Sequence, residues 1–180
     1  ISIQRFSREL RRRGHAVLII APEYDGQDES EEGVLRVPAL KNFHKTRFSV
    51  PLPMQLDFRK DLDHFAPTII HTHHPFFLGD TALRAASARR LPIVVTHHTH
   101  YHQYTHYVPA ELPWMRVYVQ ELSVGHANIC DAAIAPTDSV REEMREAGVT
   151  TPIHVVPTGE DVDAYAQGDR HKWRDTYGIP

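Results

Sequence analysis

Short apolar runs alternate along this chain with segments of helical periodicity, and this alternation constrains the fold more than any other feature. The apolar runs predict strands at residues 15–21, 34–37, 68–70, 93–97, 132–135 and 153–156. The periodic segments predict helices at residues 3–13, 54–65, 81–90, 115–128, 140–147 and 169–178. Because strands separated by helices form right-handed βαβ units, we expect one α/β domain with a doubly wound, Rossmann-like parallel sheet.

Histidines and hydroxyl side chains follow two of the predicted strands. Eight of the fourteen histidines lie in residues 68–75 and 93–109. In open α/β sheets ligands bind beyond the carboxyl ends of the strands, so two such clusters would share one crevice if their strands are neighbours. The alternative is that most of these rings lie at the surface without binding anything. The chain has no GxGxxG loop, which argues against a dinucleotide-binding oxidoreductase.

Composition excludes some classes of protein. The formal charge of −3 gives no overall attraction to nucleic acid, and Cys130 is the only cysteine, so no internal disulfide forms. No apolar run approaches the roughly 20 residues that span a bilayer. We therefore expect a cytoplasmic protein, soluble or peripherally attached to a membrane. The chain begins at Ile1 inside a predicted helix and without an initiator methionine, which is typical of a fragment.

Five segments, taken in order, carry a resemblance to a known family. They are RELRRRGHAVLIIAP, PTIIHTHHPFFLG, PIVVTHHTHYHQYTHYVP, DAAIAPTDSVREEM and PIHVVPTGEDVDAY. Together they resemble the N-terminal half of retaining GT-B glycosyltransferases, the group 1 or family 4 type, which use nucleotide sugars. The pattern HTxYxxYxHYVP is similar to that of bacterial diacylglycerol glucosyltransferases.

The resemblance implies a domain organisation and an activity. Residues 1–180 would be an acceptor-binding domain, truncated before its first strand, and a C-terminal domain that binds the nucleotide sugar would be absent. The intact enzyme would transfer a hexose, with retention, to a hydroxyl of a lipid (diacylglycerol-like) or glycan acceptor. It would need no cofactor besides the nucleotide sugar as co-substrate, and the fragment alone would be inactive.

The resemblance also implies roles for residues after the predicted strand 93–97. His98 stands where the family places an active-site histidine, and its imidazole can hydrogen-bond a sugar hydroxyl. Thr99, Tyr101 and Tyr104 offer hydroxyls and flat rings for the acceptor, the alternative for the tyrosines being packing. We expect His98 and Tyr101 to border the largest polar crevice at the strand ends.

The remaining candidate residues follow other strands. Of the two histidines that alternation places on one side, His73 is favoured for the cleft and His71 for a hydrogen-bonded structural role. Thr137 either faces the cleft or caps the next helix. Gly159 and Glu160 match a family segment that usually reads Asn/Thr-Gly-Val-Asp, so Glu160 departs from the pattern.

Two features bear on the acceptor. His97 and His102 depart from the residues that lipid-modifying relatives carry, so a glycan acceptor stays open. Aromatic and basic residues suited to an anionic membrane surface alternate after the second strand, although an ordinary solvated loop is the alternative. They are Lys41, Phe43, Lys45, Arg47 and Phe48.

Two other functions compete with sugar transfer. HTHH and HHTH, completed by Asp138, resemble the ligand set of a metal-dependent hydrolase. The second competitor is a carbohydrate-binding domain without catalysis. We expect no bound metal, because the motif positions match sugar-transfer enzymes better than ligand sets.

Overall fold

The computed structural model describes residues 2–27, 31–42, 49–51, 58–98, 100–101, 103, 114–160, 162, 166, 174 and 176–178. The chain divides into two compact units, one made of residues 17–157 and the other of residues 1–16 with 158–180. Within the described parts of the chain, no helix combines the length and the apolar composition that crossing a bilayer would require.

The larger unit is built on a parallel sheet of four strands in the order β5-β6-β7-β8. These strands are β5 Ile70–Thr72, β6 Ile93–Thr96, β7 Ala132–Ala135 and β8 Ile153–Val155. The connecting helices are α3 Leu78–Arg89, α4 Met115–Ile129 and α5 Asp138–Glu146. Each strand pairs with the next strand along the chain, and a helix lies between each pair in the sequence, as predicted. The parallel, Rossmann-like α/β architecture is confirmed.

Two smaller sheets precede this one. Strands β1 Ile19–Pro22 and β2 Val34–Val37 pair in parallel, and β3 Ala39–Leu40 pairs antiparallel with β4 Val50–Pro51. Helix α2 Arg59–Phe65 then leads into the main sheet. The sequence did not predict β3 and β4, since each has only two residues and no apolar run of its own.

Two apolar clusters hold the larger unit together, and α3 contributes to both. The first lies between the four-stranded sheet and helices α3, α4 and α5, with Ala133 and Ala135 wholly inaccessible to solvent. The second joins β1 and β2 to α2 through Phe58 and Leu62, and Leu78 of α3 packs against it. The apolar faces predicted from periodicity therefore form the interior.

Several element bounds differ from the prediction for physical reasons. The strand predicted at residues 15–21 begins at Ile19 and reaches Pro22, because pairing with β2 covers only these four residues. The strand predicted at 68–70 begins at Ile70 and reaches Thr72, since Ile69 is half exposed and pairing with β6 starts at Ile70. The helix predicted at 81–90 begins at Leu78.

The smaller unit begins with α1 Ser2–Arg12, which ends where Gly14 takes a left-handed conformation with φ of 88°. Arg12 and Arg13 both donate to the carboxylate of Glu9 on the same helix. Of the helix predicted at residues 169–178, Arg174, Thr176 and Tyr177 are helical and Gly178 forms a turn with φ of 60°, while residues 169–173 and 175 lie outside the described part of the chain.

Candidate functional site at the carboxyl ends of β5 and β6

The carboxyl ends of β5 and β6 bring the two predicted histidine clusters together. Thr72 of β5 pairs with Val95 of β6, so the residues that follow both strands emerge side by side. Nδ1 of His73 lies 2.8 Å from Nε2 of His98, within hydrogen-bonding distance. The two rings are stacked with their centroids 5.1 Å apart. The expectation that these clusters share one place on the sheet edge is confirmed.

His71 supports this pair from within the strand. Its Nε2 lies 2.6 Å from Oγ1 of Thr96 on the neighbouring strand. Its ring centroid lies 4.1 Å from that of His73, as strand alternation predicts for two residues on one side. His71 therefore has the hydrogen-bonded position that the sequence indicated, and its ring restricts where the His73 ring can lie.

Burial keeps these three imidazoles neutral. It lowers the pKa of His71 to about 4, and the neighbouring His98 lowers it further. It lowers the pKa of His73 to about 3, with additional contributions from His71 and His98. The pKa of His98 is also lowered by burial. At neutral pH each ring therefore has one nitrogen that donates a hydrogen bond and one that accepts.

The loop after β5 is fixed against the start of α3. The hydroxyl of Thr72 donates to the carbonyl of His74 at 3.0 Å, and the backbone N–H of Phe76 donates to Nδ1 of His74 at 3.2 Å. A Cβ added at Gly79 would overlap the carbonyl oxygen of His74 and lie 3.1 Å from Cε1 of His126. Only glycine fits here, so the sequence HHPFFLG sets the position of the histidine loop.

Tyr101 connects the loop after β6 to the loop after β5. Its hydroxyl lies 3.4 Å from the carbonyl oxygen of His73 and can donate a long hydrogen bond to it. Its ring meets His74 and Phe76 edge-on, with centroids 5.2 and 5.4 Å apart. Burial raises the pKa of Tyr101 to about 12, so the hydroxyl stays protonated. Tyr101 thus packs, as the alternative interpretation held, and also places a hydroxyl beside His73.

Thr137 caps helix α5, which was the alternative to its predicted place in the cleft. Its hydroxyl accepts a hydrogen bond from the backbone N–H of Val140 at 3.2 Å and lies 2.9 Å from the hydroxyl of Ser139. It is exposed, directly after β7 and before α5. Asp138 pairs with Arg141 on the same helix at 2.9 Å, instead of joining the histidines as the hydrolase interpretation requires.

The remaining predicted residues belong to the smaller unit or are not among the described residues. Gly159 and Glu160 belong to the smaller unit, where the carboxylate of Glu160 forms an ion pair with Arg5 of α1. Thr99 and Tyr104 lie outside the described residues. The structure therefore brings His73, His98 and Tyr101 together with His71.

A cavity of about 300 Å³ opens beside Tyr101, between α4 and α5. Tyr101, His97 and His100 line it, whereas His98, which was expected beside Tyr101, does not. The physical reason is that successive side chains at a strand end point to different sides, so His97 and His98 diverge. Sequence analysis considered His100 only as part of the HHTH ligand set, but its Nδ1 lies 3.2 Å from a carboxylate oxygen of Glu143. Glu143 lies more than forty positions along the chain, so only the tertiary fold reveals this pair.

A metal site was the competing interpretation of the histidine segments, and membrane contacts were predicted at residues 41–48. In the part of the chain that the structure describes, no group of three or more His, Cys, Asp or Glu side chains is arranged to hold a metal ion. Lys41 lies 3.9 Å from a carboxylate oxygen of Glu23 and 3.7 Å from one of Asp25. The other predicted membrane contacts lie outside the described residues. They are Phe43, Lys45, Arg47 and Phe48.

A parallel α/β domain with neutral imidazoles and a tyrosine hydroxyl at its strand ends is suited to binding hydroxyl-rich substrates. The profile of Glycosyltransferase Family 4 matches residues 1–164, and the chain belongs to this family. The resemblance stated from the sequence is thereby confirmed at the level of the family.

Two curated relatives indicate what similar proteins do. The alpha-monoglucosyldiacylglycerol synthase of Streptococcus pneumoniae is 28% identical over 166 residues, which cover 88% of this chain and 36% of the synthase. The GDP-mannose-dependent alpha-mannosyltransferase of Corynebacterium glutamicum is also 28% identical over 166 residues, covering 85% of this chain and 38% of that enzyme. The chain thus spans less than two fifths of the length of either relative.

A solved structure is similar at a lower level. Glycyrrhiza uralensis UGT73P12, complexed with glycyrrhetinic acid 3-O-monoglucuronide, aligns with 92% of this chain and 41% of its own, at 15% identity and a TM-score of 0.44. A similarity of this size carries no argument about the site.

Proposed function

We propose that this chain is the acceptor-binding part of a retaining glycosyltransferase that moves a hexose from a nucleotide sugar to a lipid or glycan hydroxyl. The observation that carries this proposal is the His73–His98 pair at the adjoining ends of β5 and β6, in a chain of Glycosyltransferase Family 4. Catalysis of this kind requires the acceptor hydroxyl and the donor to be held together, which lowers the entropic part of the barrier.

The hydrogen bond between the two imidazoles determines what they offer to a substrate. If His98 donates from Nε2, its Nδ1 is an acceptor and Nε2 of His73 is a donor. If His73 donates from Nδ1, the two outer nitrogens exchange these roles. In either arrangement the pair presents one donor and one acceptor, which matches a hydroxyl that both donates and accepts. His98 is the exposed member, so we assign it the contact with the sugar hydroxyl.

The rest of the proposed reaction concerns the donor. We propose that a second domain holds the nucleotide sugar and that its basic groups stabilise the charge on the departing diphosphate. His98 then acts by orienting a hydroxyl, because a lowered pKa leaves no imidazolium to donate a proton at neutral pH. No general base is assigned.

The names of two relatives support a choice of acceptor and of donor. A relative that is named for monoglucosyldiacylglycerol supports a glycerolipid, and one that is named for GDP-mannose supports a nucleotide sugar as donor. We favour the lipid, with peripheral attachment to an anionic membrane. Sedimentation with phosphatidylglycerol vesicles tests the attachment, and equal binding to phosphatidylcholine vesicles would contradict the role of charge.

Substitution of His98 tests the central role. We expect His98→Ala in the intact enzyme to lower kcat by about 5- to 30-fold, the equivalent of one hydrogen bond of about 1–2 kcal/mol. His98→Gln keeps a donor and an acceptor and should retain more of the activity. His64→Ala, at an exposed position on α2, is the matched control. An unchanged kcat in folded His98→Ala would remove His98 from the mechanism.

A further inference from the structure

We propose that the cavity between α4 and α5 binds an uncharged apolar chain of the acceptor, beside the site that holds its hydroxyl. This inference rests on the proposed function, because it names the part of the acceptor that extends past Tyr101. The described residues that line the cavity all belong to the larger unit.

The floor of the cavity is apolar. Ala127, Met144 and Val149 are buried members of the main core, and Val124 and Ala147 continue the same surface. The volume of about 300 Å³ is at the lower end of the range of about 300–1,000 Å³ found for small-molecule sites. Water in such a space finds few hydrogen-bond partners on the apolar floor. An apolar chain that displaces this water is therefore favoured.

The rim of the cavity disfavours anions. It carries the exposed carboxylates of Glu143 and Glu146, and none of the lining residues that the structure describes is lysine or arginine. His100 lies 3.2 Å from Glu143, whereas the nearby Arg145 pairs with Glu142, outside the cavity. A ligand with a negative group here would meet two like charges without a lysine or arginine to offset them. The rim therefore selects an uncharged acceptor.

The cavity and the histidine site lie on either side of Tyr101. The ring of Tyr101 lines the cavity while its hydroxyl lies near the backbone of His73. The ring of His97 meets that of Tyr101 edge-on, at 6.0 Å between centroids, and lines the cavity too. An acceptor whose hydroxyl contacts His98 can thus extend its chain past one side chain into the cavity.

Calorimetric titration of the 180-residue protein tests this inference without any sugar transfer. The probes are 1-monooctanoylglycerol, octanoate and glycerol, which separate the apolar chain from the charge and from the hydroxyls. We expect the monoester to bind, octanoate to bind at least about tenfold more weakly, and glycerol to give no measurable heat. Equal affinities for the monoester and octanoate, or no binding of the monoester, would overturn the proposal.

Substitutions locate the binding in the cavity. Ala147 lines the cavity in a right-handed helical backbone conformation, which leucine adopts without strain. We expect the larger side chain of Ala147→Leu to fill the cavity and to weaken monoester binding at least about tenfold. Ala88→Leu, at an exposed position of α3, is the matched control. If Ala147→Leu does not fold, the double substitution Glu143→Gln with Glu146→Gln decides. It should raise octanoate affinity to within about threefold of the monoester.

Equal weakening by Ala147→Leu and Ala88→Leu, or unchanged octanoate affinity in the double variant, would place the binding elsewhere. Failure of the proposed function is distinguishable, because transfer is measured separately in the intact enzyme. Monoester binding without transfer would contradict only the function. Transfer without binding in the cavity would contradict only this inference.

Discussion

Acidification from pH 7.5 to pH 5 should destabilise the fold through His71 and His73. Their pKa values in the folded protein are about 4 and about 3, against an ordinary value of 6.5. The unfolded chain therefore binds more protons, so stability is present above pH 6.5 and is lost as the pH falls towards the folded values. At pH 5 each histidine favours unfolding by about 2 kcal/mol, which is 1.5 pH units at about 1.36 kcal/mol each. Both together amount to about 4 kcal/mol, a large part of the 5–15 kcal/mol typical of a domain.

Urea unfolding followed by circular dichroism at the two pH values measures this loss. We expect His73→Asn to reduce the difference between pH 7.5 and pH 5 by about 2 kcal/mol, because one neutral buried imidazole is removed. His64→Asn, at an exposed position on α2, should leave the difference unchanged. If wild type and His73→Asn lose equal stability on acidification, the histidine is not the source, and the reasoning from burial fails.

Two further changes test how the site is held. Gly79→Ala should lower the free energy of unfolding by more than about 2 kcal/mol, since the added Cβ meets a backbone carbonyl. Gly125→Ala, in the open interior of α4, should raise it by about 0.5–1 kcal/mol. Thermal unfolding measures both changes, and similar effects of the two substitutions would contradict the close approach at Gly79. Thr137→Ala should cost about 1 kcal/mol through loss of the helix cap, and Thr137→Ser much less, so equal losses in chemical denaturation would refute the capping role.

Most of the fold was predictable because local and tertiary preferences agree. The strand at residues 132–135 is wholly apolar, and three of its four residues pair with a neighbouring strand on each side in the structure. The residues at which a strand begins or ends were less predictable where pairing with a neighbouring strand determines them. Thr68 and Ile69 have the composition of a strand, yet pairing begins only at Ile70, opposite Ile93. Phe77 takes φ of 49° before α3, a conformation unusual for a bulky residue, and nothing in its identity indicates it.

The histidine pair of the site was predictable, and the cavity was not. Strand ends and alternation place His73 and His98 near each other as soon as β5 and β6 are neighbours. The rim of the cavity depends on how far α5 lies from the loop after β6, and that distance is set by packing. Glu143 and Ala147 sit on an ordinary amphipathic helix, where an exposed acid or a small residue carries no signal of a site.

The same burial that makes the histidine cluster sensitive to acid also fixes its chemistry. Only a neutral pair presents one donor and one acceptor, since a protonated ring donates from both nitrogens. Burial lowers the pKa of both rings, that of His73 to about 3, so the pair has this complement at neutral pH. A pair near the ordinary pKa would lose it on mild acidification. The desolvation that costs stability in acid is therefore what holds His98 in the hydrogen-bonding form that a substrate hydroxyl requires.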